Sequence, residues 1–136
     1  MREPRLEIDH WELESGEERS AAYPDTFEIP PLEHRTQLRR GLAAKLMFVI
    51  ETKDETGTVD VGVERMWVYV TENLGDGYLG VLDNDPASYE ASDDIYLVLG
   101  AEVPFGPEHV IQIAQPPDDY PEPEHVASPT RRWPRD

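Results

Sequence analysis

Four aspartates, Asp83, Asp85, Asp93 and Asp94, stand close together in the chain, and His109 with its neighbour Glu108 follows them. Clustered carboxylate oxygens are what hard divalent cations prefer. A histidine beside a carboxylate can accept and return a proton near neutral pH. Combined, Asp83, Asp85 and His109 would serve a small metal-dependent hydrolase. The spacing does not match a calcium loop, because Pro86 falls where a ligand or a turn glycine belongs. A structural role accounts for the same residues: Asp83 and Asn84 cap a turn, and Asp85-Pro86 leads the chain out of a strand. His10, His34 and His125 lie in polar flanks or in a short helix, so no Ser-His-Asp or His-Glu arrangement can be assembled from them. There is no cysteine, which removes thiolate ligands, cysteine nucleophiles and disulfides and fits a reducing compartment. The reading is a non-enzyme with no metal site and no cofactor.

The elements that would position these residues are mostly strands. In Glu64–Glu72, Met66, Val68 and Val70 alternate with Trp67, Tyr69 and Thr71, so both faces are apolar or aromatic, as in a strand buried in a small barrel. Asn73-Leu74-Gly75-Asp76-Gly77 makes the turn into a second strand from Tyr78. Trp67 is expected in the core, and Tyr69 with Tyr78 forms an aromatic patch that would bind a partner if exposed. Lys45–Glu51 is a nearly continuous apolar run, bounded by Ala43-Ala44 and by a polar loop from Thr52 to Asp60. Before it, Pro30-Pro31, Glu33, Arg39-Arg40 and Gly41 supply start and stop signals for a short helix with a thin apolar face, a lid on the barrel. Ile95–Leu99 suggests an edge segment, and Glu102–Phe105 and His109–Ile113 the last strands. The fold class is mostly β (α+β): a small SH3-like or curled antiparallel β-barrel with one short helix and extended termini.

Composition divides the chain into an acidic N-terminal arm (1–24), a small β domain (25–115) and a proline-rich tail (116–136). The arm carries isolated Leu6, Ile8 and Trp11, which suit either a short strand hooked on a groove or a disordered segment. The tail holds six prolines and ends in Arg131, Arg132, Trp133 and Arg135, and is expected to be extended and mostly mobile. The net charge is −17, with fourteen acids against Lys45, Lys53 and Arg65 between residues 41 and 115. So few bases cannot neutralise a phosphate backbone or an anionic bilayer, which excludes nucleic acid and membrane surfaces as partners. No apolar run reaches the ~20 residues of a membrane helix and no signal-peptide pattern opens the chain, so a cytoplasmic location is expected.

At Glu64-Arg65-Met66-Trp67-Val68, Gly80-Val81-Leu82-Asp83-Asn84-Asp85-Pro86 and Phe105-Gly106-Pro107-Glu108-His109-Val110-Ile111 the chain resembles a bacterial family of uncharacterised small domains. The resemblance spans about residues 27–113 and brings no enzymatic activity with it. Relatives of this kind neighbour toxins or phage-related loci, so the resemblance implies an immunity or interaction role. Combined with the charge, the expectation is an acidic protein-binding module, such as an immunity or inhibitor protein that covers a basic site on a partner protein. Asp83, Asp85, Asp93, Asp94, Glu102, Tyr69 and Tyr78 would form its partner surface. The alternatives are the metal-dependent hydrolase and a structural accessory subunit held by its terminal arms.

Overall fold

The computed structural model describes residues 1–90, 92 and 94–135. Its central feature is a long antiparallel pair. The apolar run at Lys45–Glu51 extends into β2 (Ala43–Lys53), which pairs along its whole length with β3 (Val59–Asn73), from Ala43↔Tyr69 to Lys53↔Val59. The turn between them is closed by Asp54, whose Oδ1 accepts the N–H groups of Thr56 and Thr58 at 2.9 Å each. Those hydrogen bonds, led by the one from the Thr56 hydroxyl, hold the Asp54 carboxyl below its usual range. Thr52–Asp60, expected as a loop, therefore includes the tip of a ribbon. Val59, Val61 and Val63 alternate with Asp60 and Gly62, the period-two pattern of a strand.

The chain then turns at Asn73–Gly77, where Leu74 N–H donates to the Gly77 carbonyl at 2.8 Å and Gly75 adopts φ +91°. β4 (Tyr78–Leu82) returns beside β3, and β5 (Glu102–Phe105) beside β4. β1 (Trp11–Leu13) and β6 (Gln112–Ala114) share the other edge of β2, at Phe48–Ile50 and Ala43–Lys45 respectively. The six strands form one antiparallel sheet curled into a half-barrel. A register shift between Val70 and Glu72 bends β3. β3 and β4 also approach closely at Gly80, where a Cβ would stand 2.9 Å from the Tyr69 carbonyl oxygen, so only glycine fits.

The concave face holds Leu46, Phe48, Ile50, Met66, Val68, Val70, Val103 and Phe105. Over it lies an aromatic group from distant parts of the chain. Trp11 stacks on Tyr96 with ring centroids 5.9 Å apart and meets the edge of Trp133 at 5.5 Å. Trp11 and Trp133 are 2% and 3% exposed. Boundaries at 24 and 115 thus follow composition but do not divide the core. The prolines of the tail impose extended chain, and that chain runs as a strap: Arg131 bridges Ala101, and the Trp133 indole N–H donates to the Arg2 carbonyl at 2.9 Å.

Five local expectations are corrected. The helix begun at Pro31 stops early: α3 covers Leu32–Arg35, because Leu38 must leave the helix to reach the core, where its N–H meets the Tyr78 hydroxyl. Short helices α1 (Leu6–Asp9), α2 (Gly16–Ala22) and α4 (Glu124–Ala127) lie in the flanks. Ile95–Leu99 makes no strand; it is a loop that buries Leu97 and Val98. His109 sits in a 3-10 turn, Pro107–His109, ahead of β6. Trp67 lies on the convex face, half-buried, with the Lys45 ammonium 5.6 Å from its ring centroid. Among the described residues no helix is long and apolar enough to cross a membrane.

Replacing Trp11, a buried ring of the core cluster, by Ala is expected to cost about 3–5 kcal/mol, whereas Trp67→Ala, on the half-open face, should cost less than about 2 kcal/mol. Chemical denaturation of both variants measures this; equal losses would mean the two rings had been assigned to the wrong faces.

Candidate functional site

The residues expected to form one partner surface are dispersed. Asp83, half-buried at the end of β4, has its Oδ1 3.1 Å from Nε2 of His125 on α4. Asn84 Oδ1 accepts the Trp67 N–H at 2.9 Å, and Asp85 Oδ1 accepts the Leu99 N–H at 3.1 Å. The Asp83–Pro86 segment thus works as a turn that ties β4 to β3 and to the following loop. Asp94 is exposed on the rim of a cleft described below. Asp93 lies outside the described residues. The structure brings Asp83 to His125, a residue set aside as part of the polar tail, while His109 has other partners.

Three of the expected contact residues are not available at the surface. Glu102 is 4% exposed. Its Oε1 accepts the Trp133 N–H at 2.9 Å and its Oε2 pairs with Arg135 at 2.8 Å, so this carboxylate anchors the tail strap instead of facing a partner. Tyr78 is 2% exposed; its hydroxyl donates to the Arg35 carbonyl at 2.8 Å and accepts the Leu38 N–H at 3.2 Å, and this bracket fixes the segment after α3. Tyr69 packs with Val81 and with Val126 of α4, and burial pushes its phenol pKa up. Glu102 and Tyr69 are covered by the tail, excluded from the folded unit on composition, and Tyr78 by the chain of α3 and after it, inside the expected domain.

His109 belongs to a second polar group. Its Nδ1 accepts the Gly106 N–H at 2.9 Å, so the neutral ring carries its proton on Nε2. Burial lowers the His109 pKa, against the opposing pull of Glu108, Glu3 and Glu17. Glu3, Glu108 and His109 have ligand atoms within 4.8 Å of one another. His109 Nδ1, 3.4 Å from Glu108 Oε1, already accepts the Gly106 N–H, so this side of the ring is arranged around a backbone donor. Nearby, Arg35, buried, bridges Glu17 at 2.7 Å and the carbonyls of Pro107 at 2.9 Å and Pro30 at 2.8 Å. This charge was not among the expected site residues; only the folding of α3 against the 3-10 turn makes it a clamp.

Two features of the surface remain. A cleft of about 540 Å³ opens between the β2–β3 ribbon and the loop residues 88–89 and 94–97, floored by Trp11, Ile50 and Tyr96, with Asp9, Glu51, Asp94 and Lys53 around it. The Trp11 indole N–H is buried there without an acceptor among the described residues. Above the cleft the ribbon leaves the barrel, and Val59, Val61 and Val63 are 51%, 55% and 47% exposed. This ridge was not singled out in the sequence, though three valines at alternate positions beside a glycine-containing turn were a sufficient signal.

Comparison of the chain with protein-family models, with curated proteins and with solved structures finds no match.

Because the folded state holds His109 neutral, it binds fewer protons than the unfolded state below the usual imidazole value of 6.5. Stability is therefore expected to be at full strength above that pH and to fall as pH drops from about 6.5 toward the depressed folded value. His109→Asn should flatten the slope of unfolding free energy between pH 7 and pH 5. An unchanged slope would place the titrating group elsewhere. Separately, Glu102→Ala should leave the Trp133 N–H unpaired, cost roughly 1–3 kcal/mol, and open the tail to limited proteolysis. A tail still resistant would refute the anchoring role.

Proposed function

We propose that this protein is an acidic protein-binding module that engages a basic surface on a partner protein. The observation that carries the reading is the placement of charge. In a chain of net charge −17, Glu102 alone among the described carboxylate residues is buried, and the other described acids are partly or fully exposed. Many of the bases are occupied within the molecule. Arg2, Arg19, Arg35, Arg40 and Arg135 are ion-paired with Asp9, Glu14, Glu17, Glu122 and Glu102. Lys45 and Arg65 lie over the rings of Trp67 and Phe27. Such a field attracts a basic surface from a distance and repels phosphate backbones and anionic bilayers.

An immunity or inhibitor protein, which must find and cover a basic site quickly, is the concrete form of this reading, and it agrees with the resemblance noted in the sequence. Asp83, Asp85 and Asp94 remain as contributors from the original set; Glu102, Tyr69 and Tyr78 do not. Binding and not catalysis is the proposed activity.

A partner captured from the native host should associate with a rate that drops steeply as ionic strength rises, since the Debye length shrinks from ~10 Å at 0.1 M to ~3 Å at 1 M. Asp85→Asn with Asp94→Asn should lower the association rate and leave dissociation nearly unchanged. Stopped-flow or surface-based kinetics reads both. An association rate indifferent to salt and to these substitutions would reduce the charge to a solubility device.

A further inference from the structure

The tip of the β2–β3 ribbon has an unpaired edge whose chemistry can be read residue by residue. In β3 the Val70 N–H donates to the Leu42 carbonyl, on the β2 side, while the Trp67 carbonyl accepts from Asp83, on the β4 side. Backbone groups alternate sides along a strand. Asp60, Gly62 and Glu64 therefore direct their N–H and C=O groups to β2, and Val59, Val61 and Val63 direct theirs away from it. β4 begins its pairing only at Val68↔Leu82. Among the described residues nothing pairs with the outward groups of these three valines, and every residue from Val59 to Val63 is exposed.

We propose that the Val59–Val63 edge of β3 accepts an added strand from a partner segment in which apolar residues alternate with lysine or arginine. This rests on the protein-binding reading above and names the surface and the partner chemistry. Three outward N–H and three outward C=O groups provide the ladder. An added strand places alternate side chains on opposite faces. On the convex face they would lie beside the Val59, Val61 and Val63 ridge, which favours apolar residues. On the concave face they would lie beside Asp60 and Gly62. A Cβ at Gly62 would have nothing within 4 Å, so long side chains have room there. Asp60 and, two residues past Gly62, Glu64 are the charges of β3 on that face, which favours cations there, while Asp54 and Glu55 add negative charge at the tip.

The same charges oppose a second copy of this chain as occupant. A two-fold pairing centred on Gly62 would set Asp60 of each copy against Glu64 of the other, and each chain carries −17 in any register. A natural edge strand of this kind is usually blunted by a lysine or proline pointing along it. Here the exposed run holds neither between Val59 and Val63.

The test uses the full chain, isotope-labelled, and two synthetic seven-residue peptides of the same composition: one alternating lysine and valine, one with four lysines followed by three valines. With the alternating peptide, amide exchange at Val59, Val61 and Val63 should slow by about tenfold or more, with Asp60 and Gly62 little changed. The block peptide should bind about tenfold more weakly or worse. Val61→Pro removes one outward N–H without taking a bond from the β2 ladder, and should abolish the slowing. Val61→Glu, which keeps the backbone intact, should weaken binding likewise. Equal binding of both peptides, or binding with no change at the three valines, would overturn the edge while leaving the acidic-surface reading standing. Slowed exchange at high protein concentration without peptide would show a second copy as the occupant and also overturn it. Failure of both peptides to bind at low salt would count against the edge and the acidic surface together.

Discussion

The pairing of β2 with β3 is the constraint on which the rest of the molecule depends. One register, Ala43↔Tyr69 to Lys53↔Val59, decides which side chains face the hollow of the half-barrel and which face out. Because side chains alternate along a strand, Leu46, Phe48 and Ile50 share the concave face with Met66 and Val68, and a slip by one residue would expose that whole set. The pair is also longer than the barrel it builds. Its first half, near Ala44 and Val68, is covered by β4, β6 and the flanks. Beyond the reach of β1, whose pairing ends at Ile50, the tip near Lys53 and Val59 has no further strand on either side among the described residues. A fold made by one long ribbon thus produces both a core and an unpaired edge.

The flanks follow from the same geometry. A half-barrel leaves its hollow open at one side, and 136 residues with 38% hydrophobic content have few apolar side chains to spare. Trp11 and Trp133 close the opening from opposite ends of the chain, and Tyr96 stacks between strand and loop to join them. The Glu102 carboxylate holds the strap in place through Trp133 N–H and Arg135. Removing one partner from a buried, hydrogen-bonded charge costs more than the pair contributes as a whole, so this anchor works as a specificity device for the tail.

The strands that carry dense apolar patterns were legible in the sequence. Lys45–Glu51, Met66–Thr71 and Tyr78–Leu82 are strands because their faces are buried, and burial writes itself into residue type. Gly75 marked the turn for a similar reason, since its positive φ restricts the choice of residue. What was not legible depends on tertiary context. Val59 and Asp60 were taken with the polar loop that starts at Thr52, and the strand was read only from Glu64, because the neighbours are acids and threonines, although the alternation through Val61 and Val63 was visible. Trp11 and Trp133 are single apolar residues in polar flanks, and a lone residue has no period. Tyr78 and Glu102 were assigned to a surface because nothing in the sequence says that α3 and the tail cover them. Asp83 was placed in an aspartate group, whereas its partner, His125, arrives from forty-two positions away.

The central claim is that β3 has one edge committed to β2 and the other free between Val59 and Val63. Native-state hydrogen exchange of the unliganded protein at low concentration tests it most directly, amide by amide. The account predicts slow exchange at Asp60, Gly62 and Glu64, whose N–H groups point to β2, and exchange near the unprotected rate at Val59, Val61 and Val63. Uniform protection across all six would show that the edge is already covered, and would contradict the account.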